Sequence, residues 1–460
     1  MRPLSVLPFA GLVLIACQDV SGPDEIQIPE SVEYSLTASP SSGPFAYVTN
    51  VNSHSVSVIA IPTNTVVATI GVGNLPEGLD ITPDGAFVYV AEAGPDRVSV
   101  IQTASNTVVA TVGVGADPLD VAITPNGLFA YVTNRTAGTV SVIATATNTV
   151  VATIPVGPQP RGIAISPDGA FAYVANSGSN TVSKISTATN TVLADIPVAA
   201  YPRGLAITPD GTRAYVSSMA YGTLSVVNTA TDAVVATLHP GAVPEGVAVS
   251  PDGAFVYVAN FNSNTVAVVS TATNTVVTTI PLPAGGHGFD LAITPDGTSV
   301  YVTNYGANTV SVISTANNSL VNTVGVGNTP LSVAITPEPQ SLTVEIDIKP
   351  GSGLNAINCR NTNSVVTVAI LTTDGFDPTT VDHSTVSFEG ATEIHVDQKT
   401  GEPTRHEEDV DGDGDLDLVF HFRLGDTGLD CTSTEATLMG ETYDGLRIQG
   451  TDAVRMVEGG

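Results

Sequence analysis

A tyrosine followed by valine recurs at Tyr47, Tyr89, Tyr131, Tyr173, Tyr215, Tyr257 and Tyr301, at a spacing of 42 residues five times and then 44. A fixed period of this length marks a propeller or a solenoid, because each unit can bury its apolar faces only against its neighbours. The interior of the unit decides between them. From Arg161 onward it holds four short apolar runs, "GIAI", "FAYVA", "TVSKI" and "TVLADI", separated by "SPDG", "NSGSN" and "STATN". Each separator puts Gly, Pro, Asn or Asp where a turn needs a positive or fixed φ. Four strands in such a unit make one propeller blade. No stretch shows sustained helical periodicity. The chain therefore reads as all-β: a seven-bladed β-propeller of four-stranded blades over 45–340.

The ends of the array specify how the ring closes. The first unit begins at "FAYVTN" (Phe45–Asn50) with no "ITPDG" strand before it, and the last ends at "LSVAITPEP" (Leu331–Pro339) with no "YVTN" after it. One blade must be shared, with its innermost strand supplied by the C-terminal end of the array. Closure of this kind leaves no long free sheet edge. The units closely resemble the YVTN-type β-propeller repeat of bacterial and archaeal surface proteins. That resemblance implies a surface-exposed binding or structural scaffold.

The flanks differ from the array. "MRPLSVLPFAGLVLIAC" is a single Arg followed by a short apolar run, which reads as a targeting segment over 1–17. Its end, Leu14-Ile15-Ala16-Cys17, resembles the bacterial lipobox, which implies lipidation of Cys17; a plain secretory signal is the alternative. Gln18 after the cysteine favours the outer membrane by the same resemblance. Residues 18–44 are polar, acidic and Pro/Ser-containing, as expected of a flexible tether. With Cys17 lipidated, Cys359 and Cys431 remain as a pair in an oxidising compartment.

Residues 341–460 lack the repeat. Runs such as "SVVTVAILT", "LDLVFHF" and "GLRIQG" predict a small C-terminal β-sandwich. Of the net charge of −30, these 120 residues hold 23 acids and seven bases. Without a basic stripe, nucleic acid is excluded as a partner. Asp409, Asp411, Asp413, Asp415 and Asp417 alternate along one loop. Carboxylates this close repel unless a hard cation lies between them, and Ca2+ takes six to eight oxygens. Phe420 stands where an EF-hand would need its bidentate Glu, so the loop instead resembles the D-x-D-x-D-G loops that bind structural calcium between strands. Asp415 is expected to offer its backbone carbonyl. A solvated acidic hairpin is the alternative.

Within the propeller, the loop entering each first strand reads "GVGxxPxG", and the residue after its Pro varies: Glu77, Leu119, Arg161, Arg203, Glu245 and Leu331. In the 44-residue unit, "PAGGHGFDLAI" puts Phe289 there and adds His287. These residues are expected to ring the mouth of the central channel. Arg161 and Arg203, on adjacent blades, would accept an anionic group of a glycan, peptide or small metabolite. Pairing of Arg203 with Glu245, with Arg161 solvated, is the alternative. An enzyme of the lactonase type would instead draw on Glu77, Asp80, Asp120 and Asp290 around a channel metal. The sequence reading is thus an exported, lipid-anchored binding or structural scaffold, with a propeller hydrolase as the rival.

Overall fold

A computed structural model describes residues 44–337, 341–348, 355–373, 376–392, 394, 406–411, 415–442 and 447–457. The targeting segment with Cys17, the tether up to residue 43, and Asp413 lie outside the described residues.

Seven four-stranded antiparallel sheets form the repeat region. We number the blades 1 to 7 by their tyrosines, Tyr47 to Tyr301. Blade 4 is representative: Pro160–Ile165 is innermost, followed outward by Phe171–Asn176, Thr181–Ser186 and Thr191–Pro197. The second and third strands are buried on both faces because a blade packs on either side of them, which is why they read as apolar runs rather than alternation. The outermost strand is mostly exposed. Each interblade layer is a separate apolar cluster. Between blades 1 and 2, for example, Tyr47, Val56 and Val58 pack against Leu79, Ile81, Val88 and Val90.

The shared blade is present. Pro330–Ile335 pairs antiparallel with Phe45–Asn50, matching Ala46 to Ile335, Tyr47 to Ala334 and Val48 to Val333. The innermost strands neighbour one another around the whole circle, so the ring is closed.

Two polar ties hold the seams. Six of the seven tyrosine hydroxyls donate to an asparagine in the outer turn of the next blade, at 2.5–3.2 Å; Tyr47 reaches Asn106 and Tyr301 reaches Asn64 across the closing seam. Those asparagines sit at φ near +50°, a left-handed conformation that Asn tolerates. In blade 4 the partner position is Asp232, and Lys184 Nζ bonds to it at 2.9 Å.

Beyond the propeller, two sheets share one core. One contains Glu435–Thr442 between Val381–Phe388 and Arg447–Ala453; the other contains Asp417–Arg423 between Val365–Ile370 and His406–Glu408. Phe388, Phe420 and Phe422 fill the space between them, as in a small sandwich. Cys359 and Cys431 are joined, with Cα atoms 5.2 Å apart.

Tyr301→Phe deletes the tie across the closing seam and is expected to cost about 1 kcal/mol, a drop of about 2 °C in Tm. Deleting Pro330–Ile335 exposes the edge of Phe45–Asn50 and is expected to cause aggregation. Thermal melts and size-exclusion chromatography read both, and unchanged cooperative melting of the deletion would argue against closure through that strand.

Candidate functional site

The mouth of the channel is built by a backbone kink repeated in every blade. The residue before each innermost strand is left-handed: Leu75, Asp117, Gln159, Tyr201, Val243, His287 and Thr329 have φ between +50° and +62°. For β-branched Val243 and Thr329 this conformation is strained. Each kink is held by a hydrogen bond to its carbonyl from the loop after the second strand; Ser177 N–H donates to Gln159 and Met219 N–H to Tyr201. The kink turns the chain down into the channel and aims the residue two positions later at its axis.

These residues are Glu77, Leu119, Arg161, Arg203, Glu245, Phe289 and Leu331, one per blade, and all line a single cavity of about 110 Å³. Five of the six predicted ligand-binding residues thus share one rim. His287 does not. It occupies the kink of blade 7, two residues before the rim position, and its ring stacks on Phe261 with centroids 4.9 Å apart. Its Nδ1 lies 3.1 Å from the Phe261 carbonyl. The residues after the rim are mostly glycines, because the innermost strands approach too closely for a side chain. A Cβ on Gly162 would collide with the Arg203 carbonyl, and one on Gly204 with that of Glu245.

A second set of rim determinants lies in the "YVTN" phrase. Its threonine hydroxyl donates to the carbonyl of the next blade's rim residue: Thr49 to Glu77, Thr133 to Arg161 and Thr303 to Leu331, at 2.6–2.8 Å. Ser217 does the same for Glu245. The hydroxyl also accepts an N–H from its own blade's innermost strand, as Thr303 does from Asp290 at 2.9 Å. Ala91, Ala175 and Ala259 stand at this position in the intervening blades, so the carbonyls of Leu119, Arg203 and Phe289 lack this tie. The alternation of Thr or Ser with Ala is visible in the sequence, but its target across the seam is not.

The charges on the rim are unequally matched. Arg203 pairs with Glu245 at 3.2 Å, and its guanidinium carbon lies 6.0 Å from the centre of the Phe289 ring. Burial outweighs this ion pair and raises the Glu245 carboxyl to about 7. Arg161 and Glu77 are half-buried and have no ion-pair partner among the described residues. Burial, then Arg203 and Arg135, lowers the Arg161 guanidinium to about 10. Burial raises Glu77 to about 7, against the nearby charge of Arg135. Arg135 itself is closed off by Asp117 at 2.6 Å.

Beside the rim, three half-buried carboxylates stitch blades together. Asp80 accepts the Ile123 N–H at 2.8 Å, Asp120 the Ile163 N–H at 3.0 Å, and Asp290 the Val333 N–H at 3.2 Å with Ser332 Oγ at 2.7 Å. These are three of the four acids a lactonase-type site would draw on, the fourth being Glu77 on the rim, and each turns one oxygen to the backbone of the next blade. Burial raises Asp80 to about 6 and Asp120 to about 8, although backbone N–H groups pull the other way.

A Choice-of-anchor I domain model matches residues 96–292. No curated protein matches the chain. Among solved structures, Kuenenia stuttgartiensis hydrazine synthase is 25% identical at a TM-score of 0.54, covering 57% of this chain and 90% of that one. A protein of unknown function from Desulfotomaculum acetoxidans is 21% identical at 0.58, covering 64% and 99%. A provisionally assigned 6-phosphogluconolactonase from Bacteroides uniformis is 20% identical at 0.56, covering 64% and 100%. The fold is a propeller. At these identities the last two similarities carry the fold alone.

In the acidic loop, Asp409, Asp411 and Asp417 bring one carboxylate oxygen each within 4.8 Å of the others. Asp417 is buried and accepts N–H bonds from Thr372 at 2.8 Å and Val410 at 3.0 Å. Asp415 is exposed.

Asp120 gives the site a signature in pH. Its carboxyl goes from 3.8 in the unfolded chain to about 8 when folded. Between these values the folded chain keeps a proton that the unfolded chain has lost. The stabilisation is complete below the lower value and disappears as pH rises through about 8. The Tm advantage of wild type over Asp120→Asn is therefore expected to shrink between pH 5 and pH 9. A constant difference would mean that Asp120 is ionised throughout.

Proposed function

We propose that this chain is an exported propeller held at the cell surface, and that its channel mouth binds an anionic group. One observation carries the reading. In a chain of net charge −30, two guanidiniums stand side by side on the rim, and only one of them has a carboxylate partner. Arg presents a planar fork suited to carboxylate or phosphate. The cavity of about 110 Å³ at the channel mouth has room for the charged end of a ligand. The lipobox-like end of the targeting segment supports a lipid anchor on Cys17 at the outer membrane, and the match to a Choice-of-anchor I domain supports a place at the surface.

Inorganic phosphate is the simplest probe. Arg161→Ala is expected to weaken its binding tenfold or more by calorimetry, about 1.4 kcal/mol, with Tm nearly unchanged. Arg203→Ala is expected to weaken binding and also to lower Tm, more so above pH 7, because it strips a buried Glu245 of its counter-ion. Phosphate binding that survives both changes would refute the reading.

Calcium belongs to the same proposal, in a structural role. Oxygens on opposite sides of a calcium ion lie about 5 Å apart, so the spacing of Asp409, Asp411 and Asp417 fits one ion, with Asp415 and Asp413 completing the set from the loop. Calorimetry of the full chain is expected to show the transition of the C-terminal sandwich falling in chelator while the propeller transition stays. Binding at a hundredfold excess over Kd contributes about 2.7 kcal/mol. Asp411→Ala is expected to remove the response, and a chelator-insensitive wild type would leave the loop a solvated turn.

A further inference from the structure

The two rim charges left over after Arg203 and Glu245 pair are of opposite sign. Arg161 on blade 4 and Glu77 on blade 2 face the same cavity, with apolar Leu119 of blade 3 between them. Neither has a hydrogen-bond or ion-pair partner for its side chain among the described residues, and the nearest further cation, Arg135, is already bound to Asp117 at 2.6 Å. Each is half-buried, so water compensates it only in part.

The backbone under both residues is fixed rather than loose. Thr49 Oγ1 donates to the Glu77 carbonyl at 2.7 Å and Thr133 Oγ1 to the Arg161 carbonyl at 2.6 Å, whereas Leu119 between them lacks such a tie. The two charged positions are thus pinned from neighbouring blades, and the intervening apolar one is not.

A simple anion at Arg161 would satisfy one pole and repel the other. We infer that the mouth is built for a small zwitterion of the α-amino-acid class, its carboxylate on Arg161 and its ammonium on Glu77. The inference rests on the anion-binding reading and adds the second pole to it. The cavity of about 110 Å³ has room for the two charged poles of a small amino acid. Burial raises Glu77 to about 7, so an ammonium partner is favoured above that pH, where the carboxylate is ionised.

Alanine and propionate differ only by the ammonium group, and calorimetry of the full chain at pH 8 separates the poles. Wild type is expected to bind alanine at least tenfold more tightly than propionate. Glu77→Gln is expected to erase the preference for alanine, weakening alanine and strengthening propionate, which the Glu77 carboxylate no longer repels. Arg161→Gln is expected to weaken both. If wild type binds the two equally, the zwitterion inference is overturned and the anion reading stands. If it binds neither propionate nor phosphate, both fall. If Glu77→Gln leaves the preference for alanine intact, Glu77 is not the ammonium partner and the inference is overturned.

Discussion

Six of the seven blades of this ring lean on the next through a tyrosine hydroxyl that reaches an asparagine in a left-handed turn. The residue types follow from the geometry. The tyrosine ring fills the apolar layer between blades and carries its polar atom to the far rim of that layer. The asparagine must tolerate a positive φ and still present an acceptor. Such a tie contributes about 1 kcal/mol, much less than the apolar layers. Its value is in register: a blade displaced by one residue along the seam would bury an unsatisfied hydroxyl. Blade 4 shows that the constraint is on the pairing. With Asp232 in place of Asn, Lys184 enters the seam at 2.9 Å from the carboxylate.

The same logic extends inward. At the centre the innermost strands are too close for side chains, so glycine follows most rim residues and the seam is closed by backbone proximity. Where a polar group does enter, it bonds to the backbone of the next blade: Thr49, Thr133, Ser217 and Thr303 to carbonyls, Asp80, Asp120 and Asp290 to N–H groups. The rim is therefore rigid at its backbone and variable only in seven side chains. A scaffold of this kind can change its ligand without changing its fold.

Much of this was legible in the sequence because the repeat acts as its own control. The period gave the blades, the incomplete units at each end gave the shared blade, and the one variable residue in a constant loop pointed to the rim. What failed was local offset and long-range partnership. His287 reads as a rim residue because it lies in the divergent loop, yet the kink falls on that residue and aims Phe289 instead. The Thr/Ala alternation in the second strand looks like drift in a buried run until the carbonyl across the seam is seen. Asp80, Asp120 and Asp290 look like a set of catalytic acids when read in a line. In space each of them faces a backbone donor 43 residues further along, one blade away.

The rim and the seam acids also divide the electrostatic work. The seam carboxylates are half-buried and bonded to neutral N–H groups, so protonation relieves them without a ligand. Arg161 cannot be relieved in that way, since even lowered to about 10 it keeps its charge near neutral pH. Glu77, at about 7, is ionised for part of the time. A half-buried guanidinium flanked by Leu119 and an already paired Arg203, with Glu77 and Glu245 near but not bonded to it, is thus the group on the rim with the most to gain from an incoming carboxylate. The asymmetry between a charge that can be neutralised by a proton and one that cannot is why ligand binding should begin at Arg161.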